Sequence, residues 1–149
     1  MIPVQKHKLI IALRPQLKDN GAFANNAYWD RAGWNHERVL FIVGDTDIAA
    51  GSGDSSTAPF VEECDTVGGE YTPVTGAALA AVVGALDDNK LKAIDIDLRK
   101  THKRYGRVNA PTAGDGELGV NLAIVVILSD GQISPCDATG MGLAELVNA

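Results

Sequence analysis

The sequence predicts an all-β protein, a jelly-roll-like β-sandwich with a long irregular N-terminal segment and at most one short helix. Apolar runs of strand length follow one another from residue 37 onward, and Gly, Asp, Asn, Ser and Pro separate them. The composition is 46% hydrophobic but only 5% aromatic, which predicts a core of Ala, Val, Ile and Leu. About seven or eight such strands are typical of two stacked sheets of jelly-roll or Ig-like type. We expect one domain over residues 1–149, with an arm or loop over 1–36 and the sandwich over 37–149.

The N-terminal third differs from the rest of the chain. Residues 7–13 are apolar enough for a first strand or a short helix, and residues 14–35 are rich in Asn, Asp, Ala and Gly. The second stretch contains Tyr28 and both tryptophans, Trp29 and Trp34. Large aromatic side chains in an irregular segment either pin it onto the core or anchor a partner.

Residues 37–44 form the first clear strand, and apolar side chains on both of its faces predict a central position. Residues 45–56 have no apolar periodicity and predict a long, exposed and mobile turn. Residues 57–64 predict a strand that lies at an edge near Pro59, since proline lacks a ladder donor. Residues 71–74 return as its hairpin partner.

Residues 75–86 are the one helix-like window, either a short helix capped by Thr75 or an irregular apolar connection. In residues 92–98, isoleucine and leucine alternate with alanine and aspartate, which predicts a half-buried strand. We expect residues 104–108 to pair back onto it. The remaining predictions are a flexible loop over 111–117, a central strand over 118–128, a turn over 135–142 and a terminal strand or tail over 143–147.

Charge and cysteine content narrow the class of protein. The formal charge of −6 and pI of about 4.9 argue against a nucleic-acid partner, which requires a basic face. No run approaches the ~20 apolar residues of a membrane span, and the first residues lack the apolar region of a secretory signal. Cys64 and Cys136 are most simply reduced and buried, with a disulfide as the alternative.

Motifs for catalysis, metal binding or cofactor binding are weak, and we predict no catalytic, metal-binding or cofactor-binding residue. The glycine spacing of Gly114–Gly119 matches a dinucleotide loop, but a β-rich run follows it where a helix is required. Aspartates in the 45–56 turn fall short of a calcium loop, because Ala49 occupies a ligand position. The other candidates are a carboxylate pair on one strand face and three scattered histidines: Asp95, Asp97, His7, His36 and His102.

The only basic run is Arg99-Lys-Thr-His-Lys-Arg104, with Arg107 beyond it. Three interpretations remain open: a solvated hairpin tip, a docking patch for an acidic protein surface such as a second copy of this chain, or a nucleic-acid contact that the net charge disfavours. The candidate protein-contact residues are therefore aromatic or basic: Tyr28, Trp29, Trp34, Lys103, Arg104 and Arg107.

Six stretches follow one another in an order found in a known family: Val61-Glu-Glu-Cys-Asp65, Gly69-Glu-Tyr-Thr-Pro-Val-Thr-Gly76, Asp88-Asn-Lys90, Ile94-Asp-Ile-Asp-Leu-Arg99, Lys103-Arg-Tyr105 and Thr112-Ala-Gly-Asp-Gly116. In this order they resemble the decoration (cement) proteins of tailed-bacteriophage capsids. The resemblance implies a jelly-roll-like sandwich, a homo-oligomer (dimer or trimer) and attachment to the major capsid protein on the virion exterior. It implies no catalytic residue and no cofactor. The alternatives are another virion component (head–tail connector, tail or spike protein) and a carbohydrate-binding adhesion module, with an enzyme last.

Overall fold

The computed structural model describes residues 6–132 and 139–145. Over these ranges the fold is nearly all β, with no α-helix, and the sheets pack as a sandwich without closing into a barrel. A single turn of 3₁₀ helix lies at Ala85–Asp87. The strands are β1 (His7–Lys18), β2 (Gly21–Ala22), β3 (Trp29–Asp30), β4 (His36–Thr46), β5 (Ala50–Ser52), β6 (Phe60–Cys64), β7 (Thr72–Ala78), β8 (Leu91–Asp97), β9 (Tyr105–Val108), β10 (Pro111–Ala113) and β11 (Val120–Ser129).

The strand order is that of a jelly roll. Sheet I has the order β1-β11-β4-β8, sheet II has β3-β9-β6-β7, and the small sheet III has β2-β10-β5. The described strands of sheets I and II can be numbered 1 to 8 in chain order. Across sheet I their order is then 1-8-3-6, and across sheet II it is 2-7-4-5. This interleaving of antiparallel strands is the double Greek key of a jelly roll, and the predicted β-sandwich is confirmed.

The core lies between sheets I and II and follows the two-residue period of the strands. In β4 the inward side chains Val39, Phe41 and Val43 are buried, and in β11 those of Leu122, Ile124 and Val126 are buried as well. In β8, Ile94 and Ile96 are buried while Ala93 and Asp95 are exposed, so the predicted half-buried strand is confirmed. The predicted central strands, β4 and β11, lie inside sheet I.

The N-terminal segment is less irregular than predicted. Residues 7–18 form a full strand that pairs with β11, and the irregular part begins only after Lys18. The register shifts near Ala12, which lets Ile10 and Leu13 both contribute to the core while Ile11 points outward. The full length of this strand is hard to recognise in the sequence, because the bulge interrupts the alternation of inward and outward side chains.

Two further predictions are wrong in detail. The 45–56 turn is not wholly exposed, because it contains β5, whose three residues are all buried. The 75–86 window contains no α-helix: β7 continues to Ala78, and Val83 forms a backbone bridge to Ala50 with hydrogen bonds of 2.8 and 2.9 Å in the two directions. Pairing with β5 therefore outweighs the helix propensity of this alanine-rich stretch.

The pairing of the later strands also differs. The β6–β7 hairpin is confirmed, but β6 lies inside sheet II, and Pro59 precedes its first residue, so the missing N–H falls outside the ladder. β9 pairs with β6 and β3 and not with β8, because the 98–104 connection crosses between the sheets. Residues 111–113 form β10 where a flexible loop was expected.

The last predictions fall partly outside the described residues. These are the turn over 135–138, the tail beyond residue 145, and Cys136 with its possible pairing. Residues 139–142 form turns, and the Met141 carbonyl accepts a 2.7 Å hydrogen bond from the Leu9 N–H on the outer edge of β1. Cys64 is buried.

Candidate protein-contact face

The three tyrosines of the chain lie on the outer side of sheet II. In β9, Tyr105 and Arg107 are two residues apart and share that side, while Gly106 between them faces the core. Tyr28 precedes β3, which pairs with β9, and Tyr71 precedes β7. We call the group Tyr28, Tyr71, Tyr105, Arg104 and Arg107 the tyrosine–arginine face.

Aromatic and guanidinium groups on this face contact one another. The rings of Tyr28 and Tyr105 meet edge to face at 5.8 Å between centroids and an interplanar angle of 87°. The Cζ of Arg107 lies 3.9 Å from the centroid of the Tyr71 ring, and that of Arg104 lies 5.2 Å from the centroid of Tyr105. These are favourable aromatic and cation–π geometries, so the side chains hold each other in place.

Each arginine of the face also has a carboxylate partner. Arg107 donates to Glu62, its cross-strand neighbour in β6, and Asn109 donates to the other oxygen of Glu62 at 2.9 Å. Arg104 donates to both oxygens of Asp30, the closest contact being 2.8 Å from Nη2. The two pairs cancel in charge, so the face is a neutral aromatic–guanidinium surface.

The electrostatics of the face follow from these contacts. The hydrogen bond from Arg104 lowers the pKa of Asp30 below its ordinary value of 3.8. Burial raises the pKa of the Tyr71 hydroxyl, and the nearby positive charge of Arg107 opposes the change. Among the described residues, that hydroxyl has no hydrogen-bond partner.

A buried ion network lies directly beneath the face and joins sheets I and II. Arg31 donates to both oxygens of Glu37 on β4, at 2.6 and 2.9 Å, and to Glu63 on β6 at 2.7 Å. The indole N–H of Trp29 donates to Glu37 at 2.9 Å, and His102 Nδ1 lies 3.0 Å from Glu63. Arg31 and Glu37 are only 4% and 2% exposed, so this network is part of the core.

Gly106 connects the buried network to the face. A Cβ at this position would lie 2.8 Å from three atoms of the Arg31 guanidinium group. The inner side of β9 is therefore in contact with Arg31, while Tyr105 and Arg107 extend from its outer side. The position of Arg31 thus determines how closely β9, and with it the face, approaches the core.

The structure brings together only part of the predicted contact set. Tyr28 is 48% exposed and lies on the face with Arg104 and Arg107. Trp29 is 2% exposed, and Trp34 packs against the core, so both pin the irregular segment to the sandwich. Trp29 therefore offers no surface to a partner. Lys103 lies beside the face and donates to the Thr72 hydroxyl at 2.9 Å.

Tyr71, Tyr105 and Glu62 were not predicted from the sequence. The signal for Tyr105 was present, because a strand over 104–108 places residues 105 and 107 on the same side. Tyr71 and Glu62 join them through the pairing of β6 with both β7 and β9, and the pairing with β9 was not predicted.

The basic run is neither a hairpin tip nor a free positive patch. It lies in the connection between β8 and β9. Arg99 is bound to Asp97 through two contacts of 2.8 and 3.0 Å, and His102 and Arg104 contact Glu63 and Asp30. These carboxylates neutralise most of the positive charge on which the docking interpretations relied.

The remaining sequence motifs have structural roles. Residues 114–119 form a loop followed by strand β11, so the helix start that a pyrophosphate needs is missing there. The Asp47 carboxylate accepts backbone N–H groups of residues 117–119 at 2.8–2.9 Å, and Asp54 accepts those of Ser56 and Thr57. Asp45 is exposed, and Asp95 is paired with Arg38 through contacts of 2.7 and 2.8 Å.

Within residues 6–132 and 139–145, no three His, Cys, Asp or Glu side chains are grouped as metal ligands, and no helix is long and apolar enough to cross a membrane. Open hollows occur among these described residues. One, of about 530 Å³, lies on the outer side of sheet I, and one, of about 380 Å³, lies between the edges of β7 and β8. In the first hollow, His36, Ser129 and Asp97 lie in one cross-strand row of sheet I. The Asp97 carboxylate is bound by Arg99, and His36 Nε2 lies 3.7 Å from the Asp130 carboxylate.

Comparisons with known proteins give no relative. No protein-family model matches the chain, and neither the curated proteins nor the solved structures contain a significant match.

Proposed function

We propose that this protein is a virion structural protein that decorates and stabilises the outside of a bacteriophage capsid by bridging major capsid protein subunits. It acts without a cofactor and without catalysis, as a homo-oligomer. The sequence resemblance supplies the class of partner. The jelly roll is a fold used by capsid and lectin domains, and this supports the class of protein by analogy.

The observation that carries the proposal is the tyrosine–arginine face. Tyrosine and arginine are the residue types enriched at the centre of protein–protein contacts. Here three tyrosines and two arginines share one sheet surface, and their mutual contacts hold the side chains in position before binding. Because less side-chain freedom is lost on association, such a surface favours affinity.

Stabilisation of a shell follows from geometry and copy number. A protein that bridges two shell subunits buries area on both, and each Å² of apolar area contributes about 25 cal/mol. An oligomer that contacts several subunits binds with higher avidity than a single contact provides. Capsids that lack the protein should therefore release DNA at a lower temperature than complete particles.

The primary test is quantitative mass spectrometry of purified particles from the source virus. Decoration predicts a copy number close to that of the shell protein, in the hundreds. About a dozen copies or fewer would indicate a connector, tail or spike protein, and absence from particles would reject a virion role. Equal thermal DNA release with and without the protein would reject the stabilising role.

Point substitutions test the face itself. Deletion of the residues before Arg38 would not test the face, because it would also remove strand β1 from sheet I. We expect Tyr28→Ala and Arg104→Ala to lower occupancy on undecorated capsids, since both side chains are exposed on the face. Leu118→Ala is the matched control, because Leu118 is 66% exposed and lies in the 114–119 loop. Equal occupancy for all three variants would show that capsids bind elsewhere.

A carbohydrate-binding adhesion module is the second candidate, favoured by the half-exposed Tyr28 ring on a jelly-roll sheet. Sugar platforms use the open face of an aromatic ring, whereas the face of Tyr71 is occupied by Arg107. A glycan array on the purified protein separates the two functions. Specific glycan binding that is lost in Tyr28→Ala would favour adhesion.

A further inference from the structure

The outer side of sheet I carries an apolar band that crosses all four strands. Ile11, Val125, Leu40 and Ala93 are directly opposite one another on β1, β11, β4 and β8. The next row toward the far end of the sheet is Ala123, Ile42 and Leu91. Ile11 and Leu91, at the two edges, are each 64% exposed, and Ile42 is 38% exposed.

Polar rows border the band on one side. One row is Leu9, Ile127, Arg38 and Asp95, and the next is His7, Ser129, His36 and Asp97. Arg38 and Asp95 form an exposed ion pair, and the 530 Å³ hollow lies over these rows. An apolar centre with a polar rim is the usual anatomy of a protein interface.

The dimensions of the surface match one side of a standard interface. Four strands at ~4.8 Å spacing give a width of about 19 Å, and the 11 residues of β4 give a length of about 37 Å. The product, about 700 Å², compares with the ~800 Å² that each partner buries in a standard complex. The seven residues of the two apolar rows cover about 230 Å² of this surface and form its centre.

We propose that a second copy of this chain covers this surface, so that two sheets I stack across a two-fold axis parallel to their strands. This inference rests on the self-association in the proposed function and assigns a surface to it, separate from the tyrosine–arginine face. Rotation about this axis reverses the order of the strands, but each row of residues still faces the same row of the other copy. Ile11 then faces Ala93 of the other copy, and Val125 faces Leu40.

The alignment of the rows supports this orientation, because each apolar row then faces an apolar row of the other copy. In the outermost row the same axis places His7 on β1 of one copy opposite Asp97 on β8 of the other, on both sides of the dimer. A two-fold axis perpendicular to the strands and centred on this surface would instead place the polar row that contains His36 opposite the apolar row that contains Ile42 in the other copy. Aligned stacking is also the usual packing of twisted sheets.

Extension of the sheet through β8 is a less favourable way to self-associate. Lys92 points toward the core side of this edge strand, where its Nζ contacts Asp87 at 2.7 Å. An inward charge on an edge strand discourages pairing with another strand. The dimer therefore forms through the face of sheet I and not through its edge.

The test is light scattering coupled to gel filtration on the purified protein, with no capsid present. We expect the unaltered chain to be a dimer at about 100 µM. Leu91→Arg and Ile11→Arg, on opposite edge strands, should each weaken dimerisation roughly tenfold or more. Val67→Arg is the matched control, because Val67 is 53% exposed in the β6–β7 turn, and it should leave the dimer intact. Circular dichroism checks that each variant is folded.

The outcomes are decisive in both directions. Loss of the dimer in both edge variants, with the control unchanged, supports the stacked arrangement. A monomeric unaltered chain, a trimer, or a dimer that either edge variant leaves unchanged overturns it. Because no shell protein is present, failure here is separate from failure of capsid attachment, which would appear instead as absence from particles.

Discussion

Replacement of Arg31 by methionine tests the role of the buried ion network. The change removes the partner of a carboxylate that is 2% exposed and leaves Glu37 with the Trp29 N–H as its one remaining donor among the described side chains. Removing one partner of a buried pair costs about 3–5 kcal/mol, because the other charge remains buried. A total stability of about 5–15 kcal/mol is usual for a domain, so the loss is a large share.

The expected signal is large enough for ordinary unfolding experiments. For a chain of 149 residues, about 2–4 °C of melting temperature corresponds to 1 kcal/mol, so Arg31→Met should melt about 6–20 °C lower. Urea titration followed by circular dichroism gives the free energy of unfolding directly. An unchanged slope with a lower midpoint would show that stability changed and compactness did not.

A matched control lies on the surface of the same molecule. Arg38 holds Asp95 through the same two-contact geometry, at 2.7 and 2.8 Å, but both side chains are more than half exposed. Arg38→Ala should therefore change stability little, because water and salt screen this pair. If Arg31→Met is no more destabilising than Arg38→Ala, the network does not hold the sheets together.

A double variant separates the loss of an attraction from the burial of a charge. Arg31→Met with Glu37→Met replaces the buried pair by apolar side chains, an exchange that is often neutral or stabilising. We expect it to recover much of the stability that Arg31→Met loses. A double variant as unstable as the single one would mean that the packing of the guanidinium group matters more than the unpaired carboxylate.

Three further predictions follow from the other contacts. Gly106→Ala should destabilise the protein by about 1–3 kcal/mol in urea titration, because the added methyl group meets Arg31. Asp47→Ala should speed hydrogen exchange of the 117–119 amides, which lose their acceptor, and should leave β9 unaffected. Arg99 holds the pKa of Asp97 at about 2, below its ordinary 3.8, so this carboxylate stabilises the fold above about pH 4 and the effect is lost as pH falls toward 2. Asp97→Asn should therefore make the fall in melting temperature over that window smaller than in the unaltered protein.

The sequence predicts the architecture well where period and burial agree. β4, β8 and β11 have apolar runs or clean alternation, and each is found where it was expected. β1 was underestimated because a bulge breaks its period near Ala12. The 75–86 window was ambiguous because alanine favours a helix locally, whereas backbone pairing with Ala50 is set by the fold.

The candidate site was predicted less completely, for a physical reason. Exposed aromatic and basic residues can be recognised in a sequence, and this identified Tyr28, Arg104 and Arg107. Whether an aromatic is buried depends on its tertiary partner, so Trp29 could not be distinguished from Tyr28 until Glu37 was known to accept its N–H. Likewise, the basic run looked positive because the carboxylates that pair with His102, Arg104 and Arg107 are distant in sequence.

The geometry at Gly106 ties stability to surface presentation. Arg31 contacts the inner side of β9 at the residue between Tyr105 and Arg107, and the same guanidinium group binds carboxylates on both sheets. A variant that displaces Arg31 should therefore alter the tyrosine–arginine face even while the protein remains folded. Arg31 contacts sheet I through the Glu37 side chain on the inner side of β4, whereas the apolar band lies on the outer side of that sheet. Gly106→Ala should then reduce binding at the first surface while self-association at the second is retained, so one substitution can distinguish the two proposed contacts.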